Sequence, residues 1–274
     1  MRRASTQIPP GERRWKTPPN NVLQVRPILN RLSTAGELAP TEGLPFLFRV
    51  RAPYARSDAV EEEEVLMELH PYAALSHISA LTFHQMTEQL NKDIHASIPD
   101  DSPDGILPLG TRSEDWEGVP LVRGRVADSI FNRRIHWHRL VGKRIFGTFE
   151  YDYHGYPVRV ATPERTLLDG LLHPDWCGGF VNVLRAWAGY RDLINVKALM
   201  QYVDQFDIRI LRQRAGFLLE ELDIRNPALD LWVTQARRGG SSKLNGGAKF
   251  SSQFSDRWRL SINAPMDVLR EART

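Results

Sequence analysis

The strongest periodic signal lies mid-chain, over residues 156–180. Val158 and Val160 alternate with Arg159 and Ala161, the two-residue period of a strand. Thr162-Pro163 then breaks the pattern. Thr162 offers a hydroxyl to cap a helix, and Pro163 suits the first helical position, where its missing N–H costs nothing. Leu167, Leu168, Leu171 and Leu172 follow at helical spacing and make one apolar face. His173-Pro174 ends the helix, and Gly178-Gly179 supplies a hinge. The stretch predicts strand, capped helix and stop, where a strand-rich half gives way to a helix-rich half.

Nearer the N-terminus, Val25, Ile28, Leu29 and Leu32 share one helical face, and Gln24, Arg26, Asn30, Arg31 and Ser33 fall largely on the other. Gly36 marks the end of this helix, and Pro27 inside it is expected to shorten or kink it. Thr41-Glu42-Gly43 predicts a turn, and residues 46–51 a strand carrying Arg49 and Arg51. Helix, turn and strand in this order match the recognition helix and wing of a winged helix. Arg and Asn on such a helix reach base edges and phosphates in a major groove. Gln24, Arg26, Asn30, Arg31, Arg49 and Arg51 are therefore the candidate DNA-binding residues. Residues 1–21 are basic and Pro-rich, with Arg2, Arg3, Arg13, Arg14 and Lys16. They predict a disordered or loose arm that either touches phosphates or is simply a solvated tail. Such an arm cannot supply the helices that precede a recognition helix, so the module is expected to be incomplete.

The pattern continues with a helix opened by Glu61, Glu62, Glu63 and Glu64, whose charges favour a helix N-terminus. Residues 73–86 predict a helix carrying His77 and His84 on one face. A zinc pair would need closer spacing and a third ligand, so these two are assigned to packing or capping. Ile94, Ala96 and Ile98 alternate with His95 and Ser97 as a strand. Residues 100–104 form a loop without the Gly and distal Glu of a calcium site. Residues 123–144 are strongly basic: Arg123, Arg125, Arg133, Arg134, Arg139, Lys143 and Arg144, interleaved with Phe131 and Trp137. That composition suits nucleic acid or an acidic partner; the alternative is a set of strands whose polar face happens to be basic. Strand, turn over 153–156 and strand lead into the central motif. Helices are predicted over 180–190, 195–205, 208–222 and 227–237, then a flexible Gly/Ser connection over 239–247. Residues 258–263 predict a last strand returning to the sheet, and beyond Pro265 comes a short or frayed helix.

The 274 residues suffice for two domains, and 42% apolar with 25% charged residues describes a globular chain. No apolar run approaches a membrane span, and the first residues carry charge where a signal peptide needs an apolar stretch. A cytoplasmic protein without membrane contact is expected. The lone Cys177 rules out an internal disulfide framework; it is assigned as a small residue at a helix break rather than a nucleophile. A net charge of +3 is too small to name a partner, so the location of the charge matters more than its sum.

Three segments together resemble AbiEi-type antitoxins. They are TPERTLLDGL (162–171) with the Gly178-Gly179 pair, Leu75-Ser76-His77-Ile78-Ser79-Ala80-Leu81 with His84 one turn on, and Arg214-Ala215-Gly216-Phe217-Leu218-Leu219-Glu220. They occur in the family's order, and the resemblance spans about residues 23–263. It implies an antitoxin and transcriptional autorepressor of a type IV toxin–antitoxin, abortive-infection module. The partners so implied are double-stranded promoter DNA and a nucleotidyltransferase toxin, counteracted without a stable complex. The resulting expectation is an α/β (α+β) protein with a basic arm (1–21) and a small, incomplete N-terminal winged helix (22–56). A mixed-sheet domain with a C-terminal helical bundle (57–274) completes it. It acts as monomer or homodimer, without cofactor. The alternative is a stand-alone DNA-binding regulator or phage-defence accessory protein.

A metal-dependent nuclease is the less favoured alternative. A related architecture resembles this one in the SH-x-SAL and TP-x-RTLLD segments and carries a restriction-type nuclease domain. Such a centre needs an Asp and then Glu-x-Lys on adjacent strand positions. The acids after Phe180 (Asp192, Asp204, Asp207, Glu220, Glu221, Asp223, Asp230) stand in no Glu-x-Lys. There is no nucleophile elbow, phosphate loop or Cys–His pair. Glu164, Arg165 and Asp169 fit a helix-start charge, a salt-bridging Arg and a buried capping Asp. No catalytic residue and no metal ligand is assigned.

Overall fold

In the computed structural model the strand, cap and helix of the central stretch fall where the sequence places them. The structure describes residues 9, 11–12, 22–51, 60–100, 105–118, 120–236 and 242–271. The basic arm (apart from 9 and 11–12), the loop at 101–104 and the connection at 237–241 lie outside the described residues.

Helix α1 (Val22–Thr34) half-buries Val25, Ile28, Leu29 and Leu32 and exposes Gln24, Arg26, Asn30, Arg31 and Ser33, as the periodicity requires. Pro27 does not shorten it. The bond that Pro27 forfeits would end on Leu23, which is 83% exposed, so water can serve that carbonyl instead. Strands β1 (Leu38–Thr41) and β2 (Leu44–Val50) form a hairpin across Glu42-Gly43, with Gly43 at φ 72. Helix α2 (Glu62–Leu69) begins on its acidic turn and buries Val65, Leu66, Met67 and Leu69.

The helix expected over 73–86 is cut at both ends. Ala74–Leu75 is strand β3 instead, because Leu75 is drawn into the ladder between Ala96 and Val160. Helix α3 is only His77–Phe83, with His84 as its C-cap. Strand β4 (Ile94–Pro99) is buried at every position rather than on alternate ones, since it lies inside the sheet. Next come β5 (Ser129–Ile130) and β6 (Arg133–Leu140), then β7 (Thr148–Tyr153) and β8 (Tyr156–Ala161), the last two joined at His154-Gly155. Helices α4 (Pro163–Leu172), α5 (Phe180–Gly189), α6 (Val196–Phe206), α7 (Arg209–Glu221) and α8 (Ala228–Ala236) follow within a residue or two of expectation. Short strands β9 (Ser242–Lys243), β10 (Phe254–Ser255) and β11 (Leu260–Ser261) precede α9 (Asp267–Glu271).

The main sheet is mixed and six-stranded, in the order β5-β6-β4-β3-β8-β7; β3 runs antiparallel to β4 and parallel to β8. The last strand does not return to it. β11 sits between β10 and β9 in a separate three-stranded sheet. Two compact units share the chain. One comprises Met1–Ala73, Ser102–Ile135 and Glu150–Arg159; the other comprises Ala74–Asp101, His136–Phe149 and Val160–Thr274.

The second unit is organised around α4, which touches α3, α5, α6 and α7. The Thr162 hydroxyl accepts from the Arg165 amide at 3.3 Å, and Pro163 occupies the first turn. Leu167, Leu168 and Leu171 are fully buried, and Trp187 Nε1 donates to the Leu167 carbonyl at 3.2 Å. Gly170 admits Val183, which a Cβ there would meet at 3.0 Å. Asp169 is not a cap. Its carboxylate accepts from Arg165 Nε at 2.9 Å, and both side chains are buried. Gly216 similarly makes room for Trp258, whose indole would lie 2.1 Å from a Cβ.

Leu168→Ala should cost about 2–5 kcal/mol by transfer and cavity formation. Asp169→Asn should cost about 3–5 kcal/mol, because it leaves a buried guanidinium without its counter-charge. Urea melts of the two variants beside Arg165→Met/Asp169→Leu provide the check. The double variant is expected to lose less than Asp169→Asn, and an equal or greater loss would show that the pair is not the source of the cost.

Candidate functional site

Five of the six candidate DNA-binding residues lie in the helix–hairpin element, and Arg51 directly follows it. Gln24, Arg26, Asn30 and Arg31 stand on the exposed face of α1, opposite the apolar face. Arg49 is half-buried on β2, and the exposed Arg51 donates its amide to the Glu37 carbonyl at 2.7 Å, closing the base of the hairpin. β2 also exposes Phe46, Phe48 and Val50 on one side, while Leu44 at its start is buried.

The basic stretch meets this element at Arg125. Arg125 stacks its guanidinium 4.6 Å above the Phe46 ring. The segment around it is fastened within the same unit. Tyr72 donates its hydroxyl to the Val122 carbonyl at 2.8 Å, and the Arg125 amide donates to the Leu69 carbonyl at 2.9 Å. Gly124 lies under His70, whose ring a Cβ would meet at 2.3 Å, so any other residue there would force the ring to shift. Arg123 is exposed beside it, whereas Arg133 is committed to an ion pair with Glu62.

The seven basic residues are not one patch by strand geometry. Along β6, Arg133 and Arg139 alternate to the side of Ile135 and Trp137, and Arg134 to the side of His136 and His138. Arg123, Arg125, Arg133 and Arg134 belong to one unit, and Arg139, Lys143 and Arg144 to the other, where all three are exposed.

The second unit holds a cluster that the sequence does not announce. His77, at the start of α3, meets His95 on β4 and His138 on β6, and all three are buried. One nitrogen from each lies within 4.8 Å of the other two, so the trio could hold a metal ion. His95 Nδ1 and His138 Nε2 are 3.0 Å apart and share a hydrogen bond, and His77 Nδ1 lies 2.9 Å from Ser76 Oγ. The His138 ring is 4.2 Å from that of His77 and 4.3 Å from that of Trp176, and Trp176 stacks on His173. His77 has a left-handed backbone, φ 52, which is uncommon for a non-glycine residue.

Burial is the largest influence on these rings, and it disfavours their charged forms. His138 is lowered to about 3 by burial and then by His77, His95 and His136, with Asp169 opposing. His95 is lowered to about 4 by burial and His136 against the pull of Asp93, and His77 falls well below its ordinary value. All three are neutral imidazoles at neutral pH. His84, assigned with His77 to packing or capping, does not join the cluster: its Nε2 contacts the Ala161 carbonyl at 2.7 Å. The available sequence signals were the strand alternation at His95 and the His136-Trp137-His138 spacing, and neither points to His77. Cys177 is buried, which pushes its thiol well up and keeps it protonated.

No family profile and no curated protein matches the chain. Among solved structures it is similar to the Rv2827c protein of Mycobacterium tuberculosis, at a TM-score of 0.54 and 11% identity. The match covers 91% of this chain and 83% of that one. At that identity the likeness is one of fold, a helix and hairpin followed by a mixed sheet and a helical region. Among the described residues no helix is long and apolar enough to cross a membrane.

The histidine cluster sets an acid limit on stability. Unfolded histidine titrates near pH 6.5, whereas folded His95 and His138 titrate at about 4 and about 3. Below pH 6.5 the unfolded chain therefore binds more protons, and stability is lost as pH falls. Thermal melts in EDTA should show a falling Tm from pH 7 to 5. A Tm that stays flat across that window would mean the rings are solvated.

Proposed function

We propose that the protein is a double-stranded-DNA-binding transcriptional regulator whose α1 and β1–β2 hairpin act as recognition helix and wing. The observation that supports this most directly is the segregation of α1. Its apolar side is half-buried, while Gln24, Arg26, Asn30 and Arg31 all stand on the open side. Arg and Asn are the side chains that read guanine and adenine edges, and Arg also pairs with phosphate. The hairpin that follows carries Arg49, with Arg51 at its end and Arg125 stacked on Phe46, and these cations add positive charge that attracts a phosphate backbone.

The finer role we infer is antitoxin and autorepressor of a type IV, abortive-infection module. It rests on the resemblance of the 162–171, 75–81 and 214–220 segments to AbiEi-type antitoxins. On this reading the protein acts by binding and not by catalysis. Its targets are its own promoter and the action of a nucleotidyltransferase toxin encoded beside it. Arg139, Lys143 and Arg144, exposed on the second unit, are the cations for an acidic partner.

Gel shifts with the protein's own promoter at two salt concentrations test the DNA role. Wild type should bind, and more weakly at the higher salt. Arg26→Ala and Arg31→Ala should each cost about 1–3 kcal/mol where the residue reads a base, or lower the salt slope by about one where it meets a phosphate. Absence of any shift at low salt would remove the DNA-binding role. Co-expression with the neighbouring toxin tests the finer role: growth should be rescued by the wild-type chain, and failure to rescue would leave a regulator without antitoxin activity.

A further inference from the structure

We propose that His77, His95 and His138 form a binding site for one divalent transition-metal ion of the zinc class. The three imidazoles would serve as protein ligands, and the fourth coordination position would be left to water.

The geometry is close to that of a loaded site. Zinc held tetrahedrally at about 2.0–2.1 Å from each nitrogen separates its ligand atoms by roughly 3.4 Å. His95 Nδ1 and His138 Nε2 are already 3.0 Å apart, and no pair in the trio exceeds 4.8 Å. An ion entering here replaces one imidazole–imidazole hydrogen bond by three bonds to metal; the ring that donates in that bond moves its N–H proton to its other nitrogen through solvent, and the rings rotate slightly. The ligands come from three elements that are themselves fixed. The Ser76 amide donates to the His95 carbonyl at 3.0 Å, and the His95 amide donates to Ser79 Oγ at 2.8 Å. The start of α3 and strand β4 are thus locked together on both sides of the cluster. His77 is kept in a left-handed conformation between them. Strain of that kind persists where the surrounding structure over-determines it, and it recurs at functional sites.

The ligand set also selects the ion. Three neutral nitrogens with no carboxylate among them suit Zn, Cu, Ni or Co and reject Mg and Ca, which need oxygen. A ligating histidine commonly donates its other N–H to an outer partner, which fixes the tautomer. Ser76 Oγ, 2.9 Å from His77 Nδ1, can be such a partner: when it accepts from Nδ1–H, the lone pair of His77 is on Nε2. Trp176, beside His77 and His138, gives the site an apolar wall and, at 39% exposed, stands at the protein surface. The other nearby histidines are otherwise engaged, His136 with Asp93 at 2.7 Å and His173 against Trp176.

The test uses the full-length protein, stripped with a chelator and titrated with Co(II) and Zn(II). Expected are uptake of one ion per chain, intense visible absorption of four-coordinate Co(II), and a raised Tm with Zn(II). His95→Gln and His138→Gln should abolish the absorption and the Tm rise. Ser76→Ala should weaken binding about 10–100-fold by releasing His77. His154→Gln, at an exposed turn, should change nothing. Because a cluster variant can fail to fold, X-ray absorption on Zn-loaded wild type decides independently: three imidazole nitrogens at about 2.0–2.1 Å and no sulfur are expected. No uptake, uptake that survives His95→Gln, or an oxygen- or sulfur-dominated shell would each overturn the site. The cluster would then be a hydrogen-bonded imidazole stack.

Discussion

The second unit depends on one buried guanidinium. Arg165 sits in the first turn of α4, is 4% exposed, and pairs with Asp169 one turn later. A buried ion pair repays its desolvation only when the remaining donors are also satisfied. Here the two N–H groups of Arg165 Nη1 are satisfied, donating to the carbonyls of Arg144 and Phe146, each at 2.9 Å. Arg165 Cζ lies 4.6 Å over the Phe146 ring and 4.4 Å over that of Phe206, so two aromatic faces add cation–π attraction. One side chain therefore joins α4, the loop after β6 and the end of α6. The same constraint reaches the histidine cluster, since Asp169 opposes the lowering of His138 and His173 by burial.

What was legible in the sequence is what local chemistry decides. The cap at Thr162, the proline at the first turn, the stop at His173-Pro174 and the apolar face of α4 are all set by neighbours in sequence, and each is found where expected. The same holds for the two faces of α1 and for the four helices after Phe180. Expectation failed where a distant partner outweighed local pattern. Residues 73–86 read as one helix, yet ladder bonds from β4 and β8 hold Leu75 extended and delay the helix to His77. The last strand read as a sheet strand but pairs with β9 and β10, and nothing in its own residues distinguishes the two outcomes.

The sites divide along the same line. The helix and hairpin could be read from sequence because helical period and turn chemistry lie within a short segment. The three histidines could not, because they come from a helix start and two strands, and a spacing rule compares residues only along one element. Searching for a partner to His77 along its own helix leads to His84, which is spent on the Ala161 carbonyl.

The basic stretch shows why composition alone misjudges a surface. Seven cations in a short run suggest a single electropositive face, but a strand sends successive side chains to opposite sides. On β6 this places Arg134 with His136 and His138, and Arg133 and Arg139 with Ile135 and Trp137. Arg133 is then neutralised by Glu62. The charge that remains for a partner is smaller than the sequence total and is attached to particular elements. β6 itself carries exposed arginines and a buried neutral histidine a few residues apart, which a run of basic residues cannot disclose. The physical distinction is burial. Where water reaches β6 its basic residues stay charged and can meet phosphate, and where water is excluded His138 gives up its proton and offers a lone pair.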